Sequence, residues 1–268
     1  MSVRIERQPV PTPAAPRPAA RRGFSLVELM VVVAVIALLI ALLLPATRSA
    51  RPAARRAQCQ NNLKNIALAI LAYQGEHGAL PPAYTVDPAG RRLHSWRTLI
   101  LPHLDQGDVY RSNDLSKPWD DPANAEARAV RLSIFRCPEA SRAEGATRYL
   151  ASVGPDAALA PDRARPLSEI TDGHGSTLLV IESGDEDAVH WMSPNDVAEA
   201  LITKISAEPE LPHNGSVNAA FLDGGVRFLR ATTPLEVRRA LTTIAGGDDA
   251  AVEDLYPARP LPPARPPR

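Results

Sequence analysis

The sequence lacks several features by which common protein classes are recognised. Its 268 residues contain only two cysteines and 4% aromatic residues, and 30 acidic side chains balance 30 basic ones. So few cysteines exclude a small disulfide-rich scaffold, and the zero net charge gives no general electrostatic reason to bind nucleic acid. Neither a collagen-like period nor a longer internal repeat is present. With 45% hydrophobic residues, the chain is long enough for one or two domains with a hydrophobic core.

Charge and proline are unevenly distributed along this neutral chain. Residues 1–23 carry a net charge of +4 and five prolines, residues 24–75 carry +4, and the remainder carries −8. Six further prolines lie among the last twelve residues. We therefore predict a basic, Pro-rich leader at 1–23 and an extended Pro-rich tail at 251–268, because Pro-rich segments do not build a packed core.

A long apolar segment follows the leader. Residues 29–46 (LMVVVAVIALLIALLLPA) form a run of 18 residues without a charge, and residues 24–27 extend it, interrupted only by Glu28. At ~1.5 Å per residue such a helix crosses a hydrocarbon layer of ~30 Å. The run predicts a transmembrane helix at about 24–46, with a buried core helix or the apolar part of a signal peptide as alternatives. Basic residues flank the run on both sides, so charge bias does not set its orientation.

The residues in front of the apolar run carry a specific motif. Residues 21–28 read RRGFSLVE and, with the run behind them, resemble the prepilin-type N-terminal cleavage and methylation motif. The resemblance implies that a membrane peptidase cuts after Gly23 and methylates the new amino group on Phe24. It also implies that Glu28 acts in assembly by pairing with the N-terminal amine of a neighbouring subunit, whereas a carboxylate that simply reaches the lipid headgroups is the alternative. Pro45 matches a proline that kinks pilin helices.

The helical pattern continues beyond the apolar run. Apolar residues recur at helical spacing as far as about Tyr73, and Gly75 and Gly78 predict the end of the helix. We therefore expect one long N-terminal helix at 24–75, whose second half presents an apolar face to a globular head.

The head is predicted at residues 76–250. Its short apolar runs, separated by Gly, Pro and Asp, indicate a buried strand at 176–183 and a hairpin at 217–229. Short helices are predicted at 96–104, 123–132 and 235–244. The predicted fold class is α+β, with a pilin-like long N-terminal helix packed on an antiparallel β-sheet head.

A set of head motifs resembles one family. The stretches RRAQCQNNLKNIALAILAY, SWRTLILPHLDQ, PWDDPAN, FRCPEA, ITDGHGSTLLVIES, HNGSVNAAFLDGGVRFL and TTIAGGDD resemble, in this order, the domain of unknown function 1559, which is common behind prepilin-type N-termini. The resemblance implies no enzymatic activity and no cofactor.

Cys59 and Cys137 are the only cysteines. Two thiols in a head exported across the membrane are expected to pair, and a disulfide would tie the long helix to the segment around Cys137. Two buried free thiols are the alternative. A metal site would need further ligands and no CxxC motif is present, so we assign no metal.

Two other groups of residues raise the question of chemistry. His213, Ser216 and Asp223 suggest a catalytic set, but there is no GxSxG or HExxH motif, and an Asp-Gly-Gly hairpin turn explains Asp223 without catalysis. Acidic loops without the spacing of an EF-hand are expected to be solvated rather than to bind calcium: Asp120-Asp121, Asp172, Asp185-Glu186-Asp187 and Asp248-Asp249. We therefore expect no enzyme.

These observations lead to a functional hypothesis. The chain is expected to be a pilin-like or type II secretion pseudopilin-like structural subunit, a single-pass protein of the cytoplasmic membrane with its C-terminal head on the periplasmic or extracellular side. Its expected partners are a prepilin peptidase and methylase, other pilin-like subunits and membrane lipid. A membrane-anchored cell-surface binding module that does not assemble is the alternative, and a hydrolase centred on His213 is a third.

Overall fold

A computed structural model describes residues 25–138, 145–196, 202 and 216–247. Between residues 42 and 53 it describes the backbone but not the side chains. The chain divides into two compact units, residues 1–50 and 51–268. The fold is mixed, with one long helix and antiparallel sheets, which confirms the predicted α+β class.

Helix α1 runs from Leu26 to His77. It ends where the N–H of Gly78 donates to the carbonyl of Gln74 at 2.8 Å, and Gly78 adopts φ 75°, a left-handed conformation that glycine tolerates best. The helix predicted at 24–75 therefore ends two residues beyond its predicted bound. Gly75 remains within the helix, because a glycine weakens a helix by only about 1 kcal/mol and does not by itself end one.

The predicted membrane span falls in the first part of α1. Among the residues that the structure describes, no helix is both long enough and apolar enough to cross a membrane.

The principal sheet of the head has four antiparallel strands. Strands β4 (Tyr149–Ala151), β5 (Leu178–Glu182), β7 (Ser216–Phe221) and β8 (Val226–Arg230) lie in that order. Strand β5 is buried along its whole length, as its continuous apolar run predicts. Strands β7 and β8 form a hairpin in the register Val217–Leu229 and Ala219–Arg227, which confirms the predicted hairpin.

Two apolar clusters surround this sheet. One joins α1 side chains such as Leu63 and Ile66 to Val180 and Ala220 of the sheet. The other joins Leu178, Ile181 and Phe221 to Leu241, directly after the last helix. The second half of α1 is therefore part of the core of the head, as its helical spacing predicts.

The remaining elements are short. Strands β1 and β2 form one two-stranded sheet and β3 and β6 another. The helices predicted at 96–104 and 123–132 each divide into an α-helical and a 3-10 part, and the last helix is shorter than predicted because it ends at Ala240. The bounds are β1 Tyr84–Val86, β2 Arg92–Ser95, α2 Trp96–Leu99, α3 Gly107–Arg111, α4 Ala125–Ala129, β3 Ala146–Thr147, β6 Val189–His190 and α5 Leu235–Ala240, with 3-10 turns at Leu101–Leu104, Pro122–Asn124, Ser133–Phe135, Leu167–Glu169 and Asp185–Asp187.

Candidate processing and assembly segment

The first turn of α1 is closed by a reciprocal cap. The Ser25 hydroxyl accepts a hydrogen bond from the N–H of Val27 at 3.2 Å, and the Glu28 carboxylate accepts one from the N–H of Ser25 at 2.9 Å. This arrangement is a variant of the capping box that the pattern Ser-x-x-Glu favours at a helix start, with the hydroxyl on the second amide of the helix instead of the third. The negative carboxylate also lies at the positive end of the helix dipole. Glu28 thus has a local role in the single chain, which the sequence analysis did not identify although the spacing was visible.

Twelve large apolar side chains of α1 between residues 26 and 40 are exposed. Their exposed fractions range from 49% to 74%. They occur on all sides of the helix, because only Glu28, Ala34 and Ala37 interrupt the larger apolar residues over this stretch. An apolar surface of this kind is unfavourable in water and indicates a segment that is covered by other molecules. The residues are Leu26, Val27, Leu29, Met30, Val31, Val32, Val33, Val35, Ile36, Leu38, Leu39 and Ile40.

The other predicted functional residues of this segment lie wholly or partly outside the residues that the structure describes. Gly23 and Phe24, on either side of the predicted cleavage site, are outside the described residues. The backbone at Pro45 is helical, and its side chain is outside the described part. Cleavage, methylation and a kink at Pro45 therefore stay predictions.

The structure brings the two cysteines together in the core. The Sγ atoms of Cys59 and Cys137 lie 2.6 Å apart and both residues are buried. The Asn62 side chain, one turn further along α1, donates to the carbonyls of Ser133 and Arg136 at 3.3 and 3.1 Å, which holds the Cys137 segment against the helix. No disulfide bond joins the two cysteines in the described structure. The disulfide therefore stays a prediction, for which the short distance between the two sulfur atoms is favourable.

A buried polar group lies beside the two thiols. Glu182 at the end of β5 is 1% exposed and accepts a hydrogen bond from the Asn218 side chain of β7 at 2.7 Å. Burial, followed by the nearby charges of Glu182, Cys59 and Cys137, raises the pKa of the Tyr149 hydroxyl. The sequence analysis missed this cluster, because a single glutamate at the end of an apolar strand carries no local sign of its partners.

The hairpin turn contacts the second half of α1. The Lys64 ammonium donates to the carbonyl of Gly224 at 2.6 Å, and Gly224 adopts φ 73°. A Cβ atom at Gly224 would lie 3.4 Å from Leu71 and 3.5 Å from Leu68. A larger residue would be strained at this turn and would also meet these two leucines. The hairpin that the Asp-Gly-Gly turn predicts is therefore also a docking point for the helix.

Asp223 has a structural role in the same turn. Its carboxylate accepts hydrogen bonds from the N–H of Gly225 at 2.7 Å and from the Arg227 guanidinium at 2.5 Å. Although partial burial opposes ionisation, these bonds hold the pKa of Asp223 below its usual value. Ser216 lies at the opposite end of strand β7, and His213 is outside the described residues, so the structure does not bring Ser216 and Asp223 together.

Two of the acidic loops make local hydrogen bonds through their carboxylates. The Asp121 side chain caps the turn that follows it by accepting from the N–H of Ala123 at 2.9 Å. Asp172 accepts from the backbone N–H groups of Gly246 and Gly247 at 2.8 and 3.0 Å. These bonds give the two carboxylates a structural role without calcium. Asp248 and Asp249 lie outside the described residues.

An ion pair inside the head was not predicted from the sequence. The Arg97 guanidinium is fully buried, donates to Asp196 at 2.5 Å and also donates to the backbone carbonyl of Tyr149 at 2.7 Å. Asp196 in turn accepts from the Trp96 indole at 3.2 Å and from the N–H of Ala151 at 3.0 Å. A buried charge needs partners of this kind. Because Arg97 lies in α2 and both charged groups bond to the backbone of β4, the pair links helix α2 to strand β4.

Comparison with known families identifies two adjoining segments. Residues 18–44 match the prokaryotic N-terminal methylation motif, and residues 48–166 match a family described as a protein of unknown function, DUF1559. Both resemblances expected from the sequence are thereby confirmed, although the quoted head motifs after residue 166 lie beyond the matched segment. No curated protein and no solved structure matches the chain.

Proposed function

This chain carries a prokaryotic N-terminal methylation motif in front of a DUF1559 domain, and we propose that it is a pilin-like structural subunit of a cell-envelope filament or pseudopilus. The motif implies processing by a prepilin peptidase. In the proposal the peptidase removes residues 1–23 and the new N-terminal amine of Phe24 is methylated. The role is structural and not enzymatic.

The exposed apolar side chains at residues 26–40 are the observation that carries the proposal. Covering one such side chain contributes on the order of 1 kcal/mol, so twelve of them give a strong drive to leave water. We propose that lipid of the cytoplasmic membrane covers them first, with the head on the outer side, and that helices of neighbouring subunits cover them in the assembled state. Exchange of lipid contacts for helix contacts is how apolar helices associate without water.

Glu28 supplies the directional part of the proposed assembly. In the single chain its carboxylate is bound to the N–H of Ser25, which is a weak partner for a full charge. The methylated amine that cleavage would create on Phe24 of a neighbouring subunit is a stronger partner, because opposite charges attract strongly in low dielectric. The capping bond is then exchanged for an intermolecular ion pair.

Two variants separate the capping role of Glu28 from its charge. Glu28→Gln keeps a side-chain oxygen that can accept from the N–H of Ser25, since glutamine also serves in a capping box, but removes the charge. Ser25→Ala removes the capping hydroxyl and keeps the charge. We expect Glu28→Gln to lower the amount of assembled protein in the sheared surface or envelope fraction at least about tenfold, and Ser25→Ala to leave it within about twofold. Normal assembly of Glu28→Gln would refute the charge-based mechanism.

Intact-mass measurement of the native protein tests the processing step separately. The expected mass lacks residues 1–23 and includes one methyl group on Phe24. An uncleaved chain whose location in the membrane is unaffected by Glu28→Gln would instead support the membrane-anchored binding module.

A further inference from the structure

Three metal-ligating side chains meet at the C-terminal end of α1. Glu76 and His77 lie in its last turn, and His103 lies in the 3-10 turn Leu101–Leu104. One ligand atom of each lies within 4.8 Å of the other two. His103 Nε2 lies 3.7 Å from Glu76 Oε2. None of these residues has a part in the proposed assembly.

The orientation of His77 favours metal binding. Its Nδ1 lies 3.0 Å from the carbonyl oxygen of Tyr73, so this nitrogen carries the proton and donates. The tautomer leaves the lone pair on Nε2. A histidine that donates its other N–H to a backbone carbonyl is the usual arrangement at metal sites, because the hydrogen bond fixes both the tautomer and the ring orientation.

The Tyr73 ring holds both imidazoles in place. It stacks on His77 with ring centroids 3.9 Å apart and meets His103 edge-on at 6.1 Å. His103 is only 14% exposed, whereas Glu76 is 67% exposed, so an ion can enter from the solvent side. The carbonyl groups at the end of a helix add a negative potential that favours a cation.

We propose that Glu76, His77 and His103 form a binding site for one divalent transition-metal ion, with Zn²⁺ as the best fit. Two imidazole nitrogens and one carboxylate oxygen are ligands that Zn²⁺ accepts, and water completes the tetrahedron. Calcium and magnesium are disfavoured because they prefer oxygen ligands. The site would fasten the end of α1 to the turn that carries His103.

The second group of possible ligands in the described part of the chain is less suitable. Cys59, Cys137 and Glu182 also lie close together, but all three are buried and the two sulfurs contact each other directly. This arrangement offers an ion no open side and favours pairing of the thiols with each other.

Calorimetric titration of untagged, chelator-treated full-length protein in detergent with Zn²⁺ tests the site. We expect one ion per chain, a higher Tm with Zn²⁺ by mass action, and at least about 100-fold weaker binding in His77→Gln and in His103→Gln. His174→Gln is the matched control, because His174 is exposed and does not belong to the cluster. It should bind like the wild type.

Four outcomes would overturn the proposal. These are an absence of saturable Zn²⁺ binding, equal binding by the two cluster variants and the wild type, equal loss in His174→Gln, or binding that Cys59→Ala abolishes and His77→Gln retains. The last would place the ion in the buried cluster. Circular dichroism of each variant without metal verifies that the substitutions leave the fold intact. Glu76→Gln is a third ligand variant, at a position where the side chain is 67% exposed.

Discussion

Residues 26–40 and 59–70 of helix α1 both contain many apolar residues, and these side chains have opposite surroundings. Between residues 59 and 70, six apolar side chains are no more than 2% exposed, whereas twelve between residues 26 and 40 are at least 49% exposed. The difference lies in the pattern. In the second half, polar residues such as Gln60 and Asn61 separate the apolar positions, so one face fits the head; in the first half every face is apolar. Both the lower apolar content and the periodicity of the second half therefore distinguish a helix face that packs on its own chain from a helix that is apolar on every face.

The charged side chains of the head and of the first part of α1 also differ in how their charges are compensated. The buried charge of Arg97 is neutralised within the head by Asp196 and backbone carbonyls. Glu28, the one charged side chain at residues 26–40, has only the N–H of Ser25 as its hydrogen-bond partner among the described contacts of its carboxylate. The ion pair of the head is thus formed within the chain, whereas the large apolar side chains at residues 26–40 are exposed in the described structure and Glu28 has one local partner.

The largest effect is expected at the buried ion pair. Asp196→Ala leaves the Arg97 guanidinium uncompensated in the core and should lower the free energy of unfolding by about 3–5 kcal/mol. Urea unfolding of the full-length protein in detergent, followed by tryptophan fluorescence, measures the change. Asp108→Ala is the control, because Asp108 pairs with Arg111 at an exposed position where such a pair contributes at most about 1 kcal/mol. Equal effects of the two substitutions would mean that the head does not depend on internal pairing.

The predicted disulfide should have an effect of similar size. Closing a loop of 78 residues between Cys59 and Cys137 stabilises a protein by about 4 kcal/mol on the chain-entropy model. Reductant should therefore lower the unfolding free energy of the exported protein by about this amount and have no effect on a double variant with both cysteines replaced by alanine. Complete alkylation of both thiols in unreduced, unfolded protein would show that the bond is not formed.

Sequence patterns predicted the parts of the fold whose partners are close in the chain. The turn at Asp223 and Gly224 has the residue types that a tight hairpin requires, and its flanking strands pair as expected. The apolar spacing in the second half of α1 also identified its buried face. These features were predictable because local backbone preference and periodicity determine them.

Contacts between distant segments could not be predicted in this way. Arg97 is separated from Asp196 by 99 residues, and the sequence contains no pattern that links the two. The same holds for His77 and His103, which only the packing of a short turn against the end of α1 brings together. The cap at Ser25 is different, because its Ser-x-x-Glu spacing is local and is visible in the sequence.

A matched pair of isoleucines tests the two halves of α1 directly. Ile66→Ala, at a fully buried position, should lower the unfolding free energy of the head by about 3 kcal/mol through lost burial and a residual cavity. Ile36→Ala, where the side chain is 50% exposed, should change it by less than about 0.5 kcal/mol in detergent. The same substitution at Ile36 should reduce assembly if neighbouring helices cover this position. A large effect of Ile36→Ala on the stability of the head would contradict the division between the two halves.

The smallest effect is expected at the hairpin turn that docks on α1. Asp223 has a lowered pKa in the folded protein, so its ionised form contributes stability above its ordinary pKa of about 3.9, and this contribution is lost as the pH falls through the folded value. Since the carboxylate is about one-third exposed, Asp223→Asn should cost only about 0.5 kcal/mol at pH 7. The difference from the wild type should shrink steadily as the pH is lowered below about 4. A double-mutant cycle with Arg227→Gln tests whether Arg227 is the partner of Asp223. If it is, the second substitution should add little to the loss of unfolding free energy. Additive losses would instead mean that the effect of Asp223 comes from its bond to the N–H of Gly225.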